Sequence, residues 1–395
     1  NMARWLAVLL IGVAVALTRD LSWLSMILQR LYPIGVCVME TTIIPDAVLD
    51  IVLRPALRIG FFGLVSDLEG RHASDVGSAP AFVDSLKSMP VALFAEEANE
   101  QHYEVETAFF DIALGRRKKY SMGLWDADTP VDKAGSLLEK AEDRMLDLYV
   151  QRAEVADGMS ILDLGCGWGS ATLYLAERFP QARITGVSNS RTQRTHILGQ
   201  AKSRGLNNVE VVTLNVARPD FVNFTQGLAG KIDRIISIEM FEHMKNYQQL
   251  LGLLATMLKP QGKLFVHIMC HRNVAYHFEE DGLDAWMTAN FFKGGTMPSQ
   301  FLLQSFQQDL ALERQWNVAG RNYTLTLEGW LQRMDKKRWE LFEVFARAAG
   351  NARAGALQLR RWRIFMIICA EYFNFRGGSE FFVTHMLFGK RVAAA

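Results

Sequence analysis

The sequence carries almost no net charge: 43 Lys and Arg stand against 42 Asp and Glu, a formal balance of +1. A nearly neutral chain gives no electrostatic case for nucleic acid as a partner or for steering of polyanions. Cysteine is scarce and unpatterned. Cys37, Cys166, Cys270 and Cys369 show neither CxxC nor Cys/His spacing, which excludes a disulfide framework and a zinc site and predicts free thiols in a reducing, intracellular compartment. There are no internal repeats and no low-complexity tracts. A membrane-spanning run is also missing: residues 5–17 are an unbroken apolar stretch of 13, where a spanning helix needs about 20. A second apolar stretch, 21–38, is broken by Arg30 and Pro33. Three readings fit this N-terminus: a packed core helix, an interfacial helix, or a targeting segment. Docking on a membrane or a membrane complex is the reading taken for residues 1–42.

What is present is enough for a large core. The chain has 395 residues, half of them hydrophobic, room for one big domain or two smaller ones. Residues 43–130 read as a helical N-terminal subdomain, with a surface linker rich in Ser, Gly, Asp and His at 66–80. The four adjacent basic residues 116–119 read as a solvated loop. Residues 131–155 repeat apolar positions at helical spacing (Leu137, Leu138, Ala141, Met145, Leu148).

The chain is organised around Ile161-Leu-Asp-Leu-Gly-Cys-Gly-Trp-Gly-Ser170. A short apolar strand runs into Gly165, Gly167 and Gly169 and then into a helical stretch, 171–178. Glycines let the backbone approach a ligand closely, and a helix N-terminus presents free N–H groups, so the pattern fits a nucleotide-like ligand. A tight strand–helix turn with no ligand is the alternative. The pattern D-x-G-x-G-x-G, with Asp163 at the strand end, resembles motif I of S-adenosylmethionine (SAM)-dependent methyltransferases.

From there strands and helices alternate: strand 183–188, helix 191–203, strand 209–214, strand 231–238, helix 248–257, a turn at 259–262 and strand 263–269. Short β-branched runs alternating with helices predict an α/β fold with a parallel sheet covered on both faces. Ligands of such sheets bind beyond the carboxyl ends of the strands. That groups the glycine turn, Ser188, Asn189, Asn215, Glu239 and His267 around one mouth. The second strand ends in Gly186-Val-Ser-Asn-Ser190, without an acid for a ribose diol; Ser188, Asn189 and Gln193 would take that work. Strand four ends in Glu-Met-Phe-Glu-His (239–243). Two carboxylates and a histidine leaving a buried strand are costly unless they face a polar ligand. A helix start with a solvated His243 is the bland alternative.

These stretches, with Tyr120-Ser121, Ile238-Glu-Met-Phe-Glu-His-Met-Lys-Asn-Tyr247, Phe265-Val-His-Ile268, Asp284-Ala-Trp-Met287, Phe291-Phe-Lys-Gly-Gly-Thr-Met-Pro-Ser299 and Glu328-Gly-Trp-Leu-Gln-Arg-Met-Asp335, resemble coclaurine N-methyltransferase and its relatives in the broader cyclopropane-fatty-acid-synthase group. The resemblance runs from about residue 98 to the C-terminus. It implies a class I methyltransferase, a Rossmann-like seven-stranded sheet in residues 131–395 with a helical cap insertion at about 271–375. It implies SAM held by Tyr120, Ser121, Gly165, Gly167, Ser188 and Gln193. In the N-methyltransferases the residues matching Glu239, Glu242 and His243 serve catalysis at the amine. In the cyclopropane synthases those matching Glu242, His267 and Tyr323 help hold a bicarbonate base. Two positions depart from the lipid-modifying pattern: Met122 stands where it has Cys, and Asn215 where it has an acid facing the adenine amine. Asn still accepts a hydrogen bond there.

Methyl transfer from a sulfonium needs a neutral nucleophile held in line, and most of the gain is positioning. Glu242 and His243 are the candidate base and its hydrogen-bond partner, and Glu239 attracts the cation. Trp286, Phe291, Phe292, Tyr323 and Trp330 offer faces to an ammonium, or else serve as ordinary core. His196, His271 and His277 read as structural or solvated, without metal spacing. The expected activity is methylation of the nitrogen of a small amine. Methyl or methylene transfer to an unsaturated lipid is the alternative, and a catalytically idle accessory subunit of a membrane complex is a third.

Overall fold

The computed structural model describes residues 35–71, 80–93, 107–279 and 285–391. The apolar run 5–17 lies outside these residues. Among the described residues no helix is long and apolar enough to cross a membrane.

Seven strands form one mixed sheet. They are β1 (Ser160–Leu164), β2 (Arg183–Ser188), β3 (Val209–Thr213), β4 (Ile232–Ile238), β5 (Leu258–His271), β8 (Leu310–Val318) and β9 (Phe381–Lys390), with a separate ladder of β6 (Tyr276–His277) and β7 (Thr296–Met297). The order is β3-β2-β1-β4-β5-β9-β8. The first five are parallel, and β9 runs antiparallel to both β5 and β8. The strands are continuous apolar runs because helices cover both faces: Ile161, Ile184, Val187, Ile235 and Ile236 are all buried. Helix α4 (Ala134–Arg152) packs on one face with α5 (Ser170–Arg178), and α8 (Tyr247–Met257) packs on the other with α7 (Pro219–Gly227). Helix α6 (Arg191–Ser203) leans on β3 and β2. Strand order reverses at β1, so the β1 and β4 carboxyl ends form the crevice where a doubly wound sheet takes its ligand.

Three sequence expectations change. Leu258 already pairs with Ile232, and a register irregularity absorbs residues 259–262, so the expected turn lies within β5. Residues 66–71 are the end of α1 (Asp46–Arg71), not a linker, because Leu68 turns inward and is 4 % exposed; residues 72–79 lie outside the described chain. The expected insertion at 271–375 is not one insertion, since it contains the edge strand β8.

A cap of helices closes over the carboxyl end of the sheet. It gathers α1, α3 (Thr107–Ala113), α9 (Ala285–Asn290), α10 (Arg321–Lys336), α11 (Arg338–Ala348) and α12 (Ala352–Asn374), while α2 (Pro80–Ser88) packs by α8. Its core is aromatic: Trp362 meets Phe109 at 4.4 Å and Phe291 at 5.1 Å between ring centroids.

Candidate active site

The glycine turn begins where β1 ends. Gly165 (φ +80°) is in the left-handed region, and a Cβ there would sit 2.8 Å from the Met240 side chain, so no larger residue fits. At Gly167 (φ +52°), which lines a hollow at the mouth of the sheet, a Cβ would meet nothing within 4 Å. Lys119, Tyr120, Ser121, Tyr149, Asp163 and Glu239 are among the residues that line this hollow. The Ser170 hydroxyl, at the first residue of α5, also lines it and is buried with no hydrogen-bond partner. A buried orphan polar atom beside free helix N–H groups is the signature of a polar ligand. Asp163 supports the turn from within, accepting from the Thr172 hydroxyl at 2.6 Å. Burial pushes its carboxyl up to about 6.

Glu239 is a carboxylate on the wall of this hollow. It follows β4 directly and holds φ +48°, a strained conformation for a residue with a side chain. Three donors converge on its carboxylate. The Met122 N–H donates to Oε1 at 3.2 Å, His267 Nε2 lies 2.9 Å from Oε1, and the Tyr323 hydroxyl donates to Oε2 at 2.5 Å. Burial raises the Glu239 carboxyl above the usual range, while the Lys119 charge and the Tyr323 hydrogen bond oppose that rise. His267 was expected at the substrate. It is fully buried behind Glu239, and its ring serves the carboxylate.

The basic stretch 116–119 is not a solvated loop. Arg117 pairs with Asp143 and Glu177, each at 2.7 Å, and Lys119 is 1 % exposed. Its ammonium donates to Ser121 Oγ (2.5 Å) and to the Met122 carbonyl (2.7 Å), 5.0 Å from the Tyr149 ring centroid. Burial pulls Lys119 down to about 8, against the attraction of Glu239 and Glu142. The cation holds the Tyr120-Ser121-Met122 backbone against the mouth of the sheet.

Glu242 and His243 come out differently from their expected roles. Glu242 is 2 % exposed and does not line the hollow; burial and the Glu239 charge push its carboxyl well above the usual range. Burial pulls His243 down to about 4, so it is a neutral ring, 5.0 Å from Phe292. Of the expected aromatics, Tyr323 binds Glu239 and Phe292 sits at His243. Trp286 and Phe291 are cap core: Phe291 stacks on Phe365 at 4.3 Å, and Trp286 Nε1 donates to Glu40 at 2.9 Å. Trp330 is buried one layer back, 5.5 Å from Tyr120.

The expected ribose residues divide. The Ser188 hydroxyl donates to Gln193 Oε1 at 2.6 Å and accepts from the Ser190 N–H at 3.0 Å, so its donor is used within the protein. Gln193 Nε2 is buried with no hydrogen-bond partner. Asn189 and Asn215 line a second, open hollow with Arg191 and Arg218 beyond the ends of β2 and β3; Asn215 Oδ1 there accepts from the Ala217 N–H at 2.9 Å. Sequence reasoning missed Lys119, Tyr149, Ser170 and His385. Tyr149 stands four positions after Met145 on the inward face of α4, a signal helical spacing could have given. His385 is a lone histidine within the apolar run of β9.

Residues 94–379 match the family model described as mycolic acid cyclopropane synthetase. The (S)-coclaurine N-methyltransferase of Papaver somniferum is 34% identical over 359 residues, 89% of this chain and 97% of that protein. A crystal structure of coclaurine N-methyltransferase bound to N-methylheliamine and SAH is similar with a TM-score of 0.77 at 31% identity, covering 89% of this chain and 97% of that one. The cyclopropane synthase MmaA2 of Mycobacterium tuberculosis shares the fold, with a TM-score of 0.60 at 20% identity, 75% of this chain and 98% of that one.

Proposed function

Because the chain belongs to the mycolic acid cyclopropane synthetase family and is a SAM-dependent methyltransferase related to coclaurine N-methyltransferases, we propose that Glu239 receives the nitrogen of a small ring-bearing amine as methyl acceptor. One observation carries the choice between amine and lipid. The space between His267 and Tyr323, where the resemblance puts a bicarbonate base in the cyclopropane synthases, is filled here by the protein's own Glu239 carboxylate. A base built into the chain suits an amine, whose proton must leave, and makes a borrowed base redundant.

Bound in this hollow, SAM would supply an electrophilic methyl carbon on a sulfonium: the amine lone pair would form the N–C bond as the C–S bond breaks, and S-adenosylhomocysteine would leave as the neutral thioether. The residues present fit such a cosubstrate. Gly167 leaves its space open, the α5 N-terminus and Ser170 Oγ offer donors, and Tyr120, Ser121 and Asp163 line the same hollow. Asn189, Gln193 and Asn215 are the polar side chains for its nucleoside end. Glu239 attracts the incoming ammonium, accepts its proton, and so leaves the nitrogen lone pair free. Tyr323, His267 and the Met122 N–H hold the carboxylate still, so that little reorganisation is needed when the charge moves. Glu242 stands outside the hollow, and His243 packs with its ring on Phe292.

The test uses SAM labelled on its methyl carbon with two acceptors in parallel, (S)-coclaurine and vesicles of unsaturated phospholipid, with and without bicarbonate. The expected product is the N-methylated amine at a rate indifferent to bicarbonate. A labelled cyclopropane or methylated acyl chain would overturn the assignment.

A further inference from the structure

Behind Glu239 a row of side chains crosses the sheet to its far edge. His267 on β5 and His385 on β9 are directly paired in register, and Trp316 on β8 pairs with His385. Their rings connect. His385 Nε2 lies 2.9 Å from His267 Nδ1, and His267 Nε2 lies 2.9 Å from Glu239 Oε1. At the other end, Arg152, the last residue of α4, brings Nη1 to 2.7 Å from His385 Nδ1, with its guanidinium 4.9 Å from the Trp316 ring centroid. Both histidines are fully buried, and burial with the nearby cations keeps both neutral at physiological pH.

A neutral imidazole has one donor and one acceptor nitrogen, and a guanidinium has only donors. The direction of the whole row therefore follows from Arg152. His385 Nδ1 must accept, so its proton is on Nε2 and points at His267 Nδ1. That nitrogen must accept in turn, so the His267 proton is on Nε2 and points at Glu239 Oε1. Tyr149 brings its hydroxyl to 3.0 Å from the same His267 Nδ1, whose single lone pair already faces the His385 Nε2–H. The row does not carry protons out of the site, because the guanidinium at its end neither accepts a proton nor gives one up.

We infer that Arg152, acting through His385, is a positioning residue of the methyl-transfer reaction: it fixes the tautomer of His267 so that Glu239 always faces a donor. Neither residue touches the hollow. With the opposite tautomer, His267 would turn a lone pair on Glu239, and the carboxylate would take up a proton and cease to be a base. The inference rests on the amine reading for its kinetic consequence, but not for its structural one.

The test therefore has two independent readouts on the full chain. Long-range ¹H–¹⁵N correlation of the imidazoles reads the tautomers without any substrate. Both His267 and His385 are expected as Nε2–H forms in the wild type, and Arg152→Glu, which offers an acceptor, is expected to turn His385 to Nδ1–H. Turnover of (S)-coclaurine is expected to lose about ten-fold in kcat in Arg152→Glu and Arg152→Met, about 1.4 kcal/mol of barrier, with KM for SAM unchanged. Arg152→Lys, which keeps a cationic donor, and His385→Gln, whose amide can accept at one end and donate at the other, are expected to recover most of the rate. A His267 found as Nδ1–H in the wild type, or Arg152→Glu with wild-type kcat, overturns the inference. Correct tautomers with no amine turnover in any variant would instead overturn the amine reading and leave the tautomer assignment standing.

Discussion

Glu142 lies fully inside α4, accepting from the backbone N–H groups of Gly115 (3.2 Å) and Arg117 (3.3 Å). Burial pushes its carboxyl up to about 7, against the Arg117 and Gly115 hydrogen bonds and the Lys119 charge. An acid whose pKa rises on folding is destabilising once ionised. The unfolded chain gives up this proton near 4.5 and the folded one near 7, so stability falls as pH rises between those values and is flat above them. From this group alone the fall is about 3 kcal/mol. Denaturant unfolding of Glu142→Gln between pH 4 and pH 8 is expected to lack that slope; the slope is the readout, since Gln also loses one acceptor. Gly167→Val, which would fill the hollow from a left-handed position, is expected to weaken SAM binding at least about ten-fold by calorimetry; wild-type affinity would show the cosubstrate elsewhere. The sequence marked this glycine but not Lys119 or Glu142. The run of four basic residues read as a solvated loop, and nothing in the helical spacing of 131–155 singled out Glu142. Glu142 accepts from the backbone of residues 27 and 25 positions away, contacts that local patterning does not see.

At the scale of elements, α1 is held on the cap by charge. Asp46 binds Arg338, Arg360 and Arg363; Arg363 also pairs with Asp335 at 2.7 Å, and Arg54 and Arg58 reach Glu371. Arg360 and Arg363 are almost wholly buried. Removing Asp46 leaves three guanidiniums facing one another, a loss that reaches about 3–5 kcal/mol where a buried pair is broken and is smaller here because Arg338 is half-exposed. Asp46→Ala is thus expected to raise the rate of limited proteolysis within residues 46–71 while SAM affinity holds; unchanged cleavage would show that apolar contacts alone dock α1. The parallel strands and their helices were legible because a short β-branched run between polar turns has few other solutions. The end of α1 was not, because Ser66 and Gly70 resemble a linker until Leu68 is known to face inward.

For the whole molecule, the strand order puts the glycine turn and Glu239 at one crevice, and the cap brings Tyr323 to the same carboxylate from a helix 84 residues further along the chain. The sheet and its glycine turn could be read from local pattern. Which of Glu239, Glu242 and His243 lines the hollow could not, since five consecutive positions at a strand end face different ways and only the fold decides which meets it. Glu239 is the residue proposed as the ionised group at the amine. The direct measurement is the pH dependence of kcat for the wild type and Glu239→Gln with the same amine and saturating SAM. The wild type is expected to lose rate as pH falls, with an apparent pKa above the ordinary carboxylate range because burial raises it. Glu239→Gln is expected to be about 10²–10⁴-fold slower and to lack that limb. A Glu239→Gln enzyme with wild-type kcat and an unchanged acid limb would contradict this role for Glu239 and move the base to another residue.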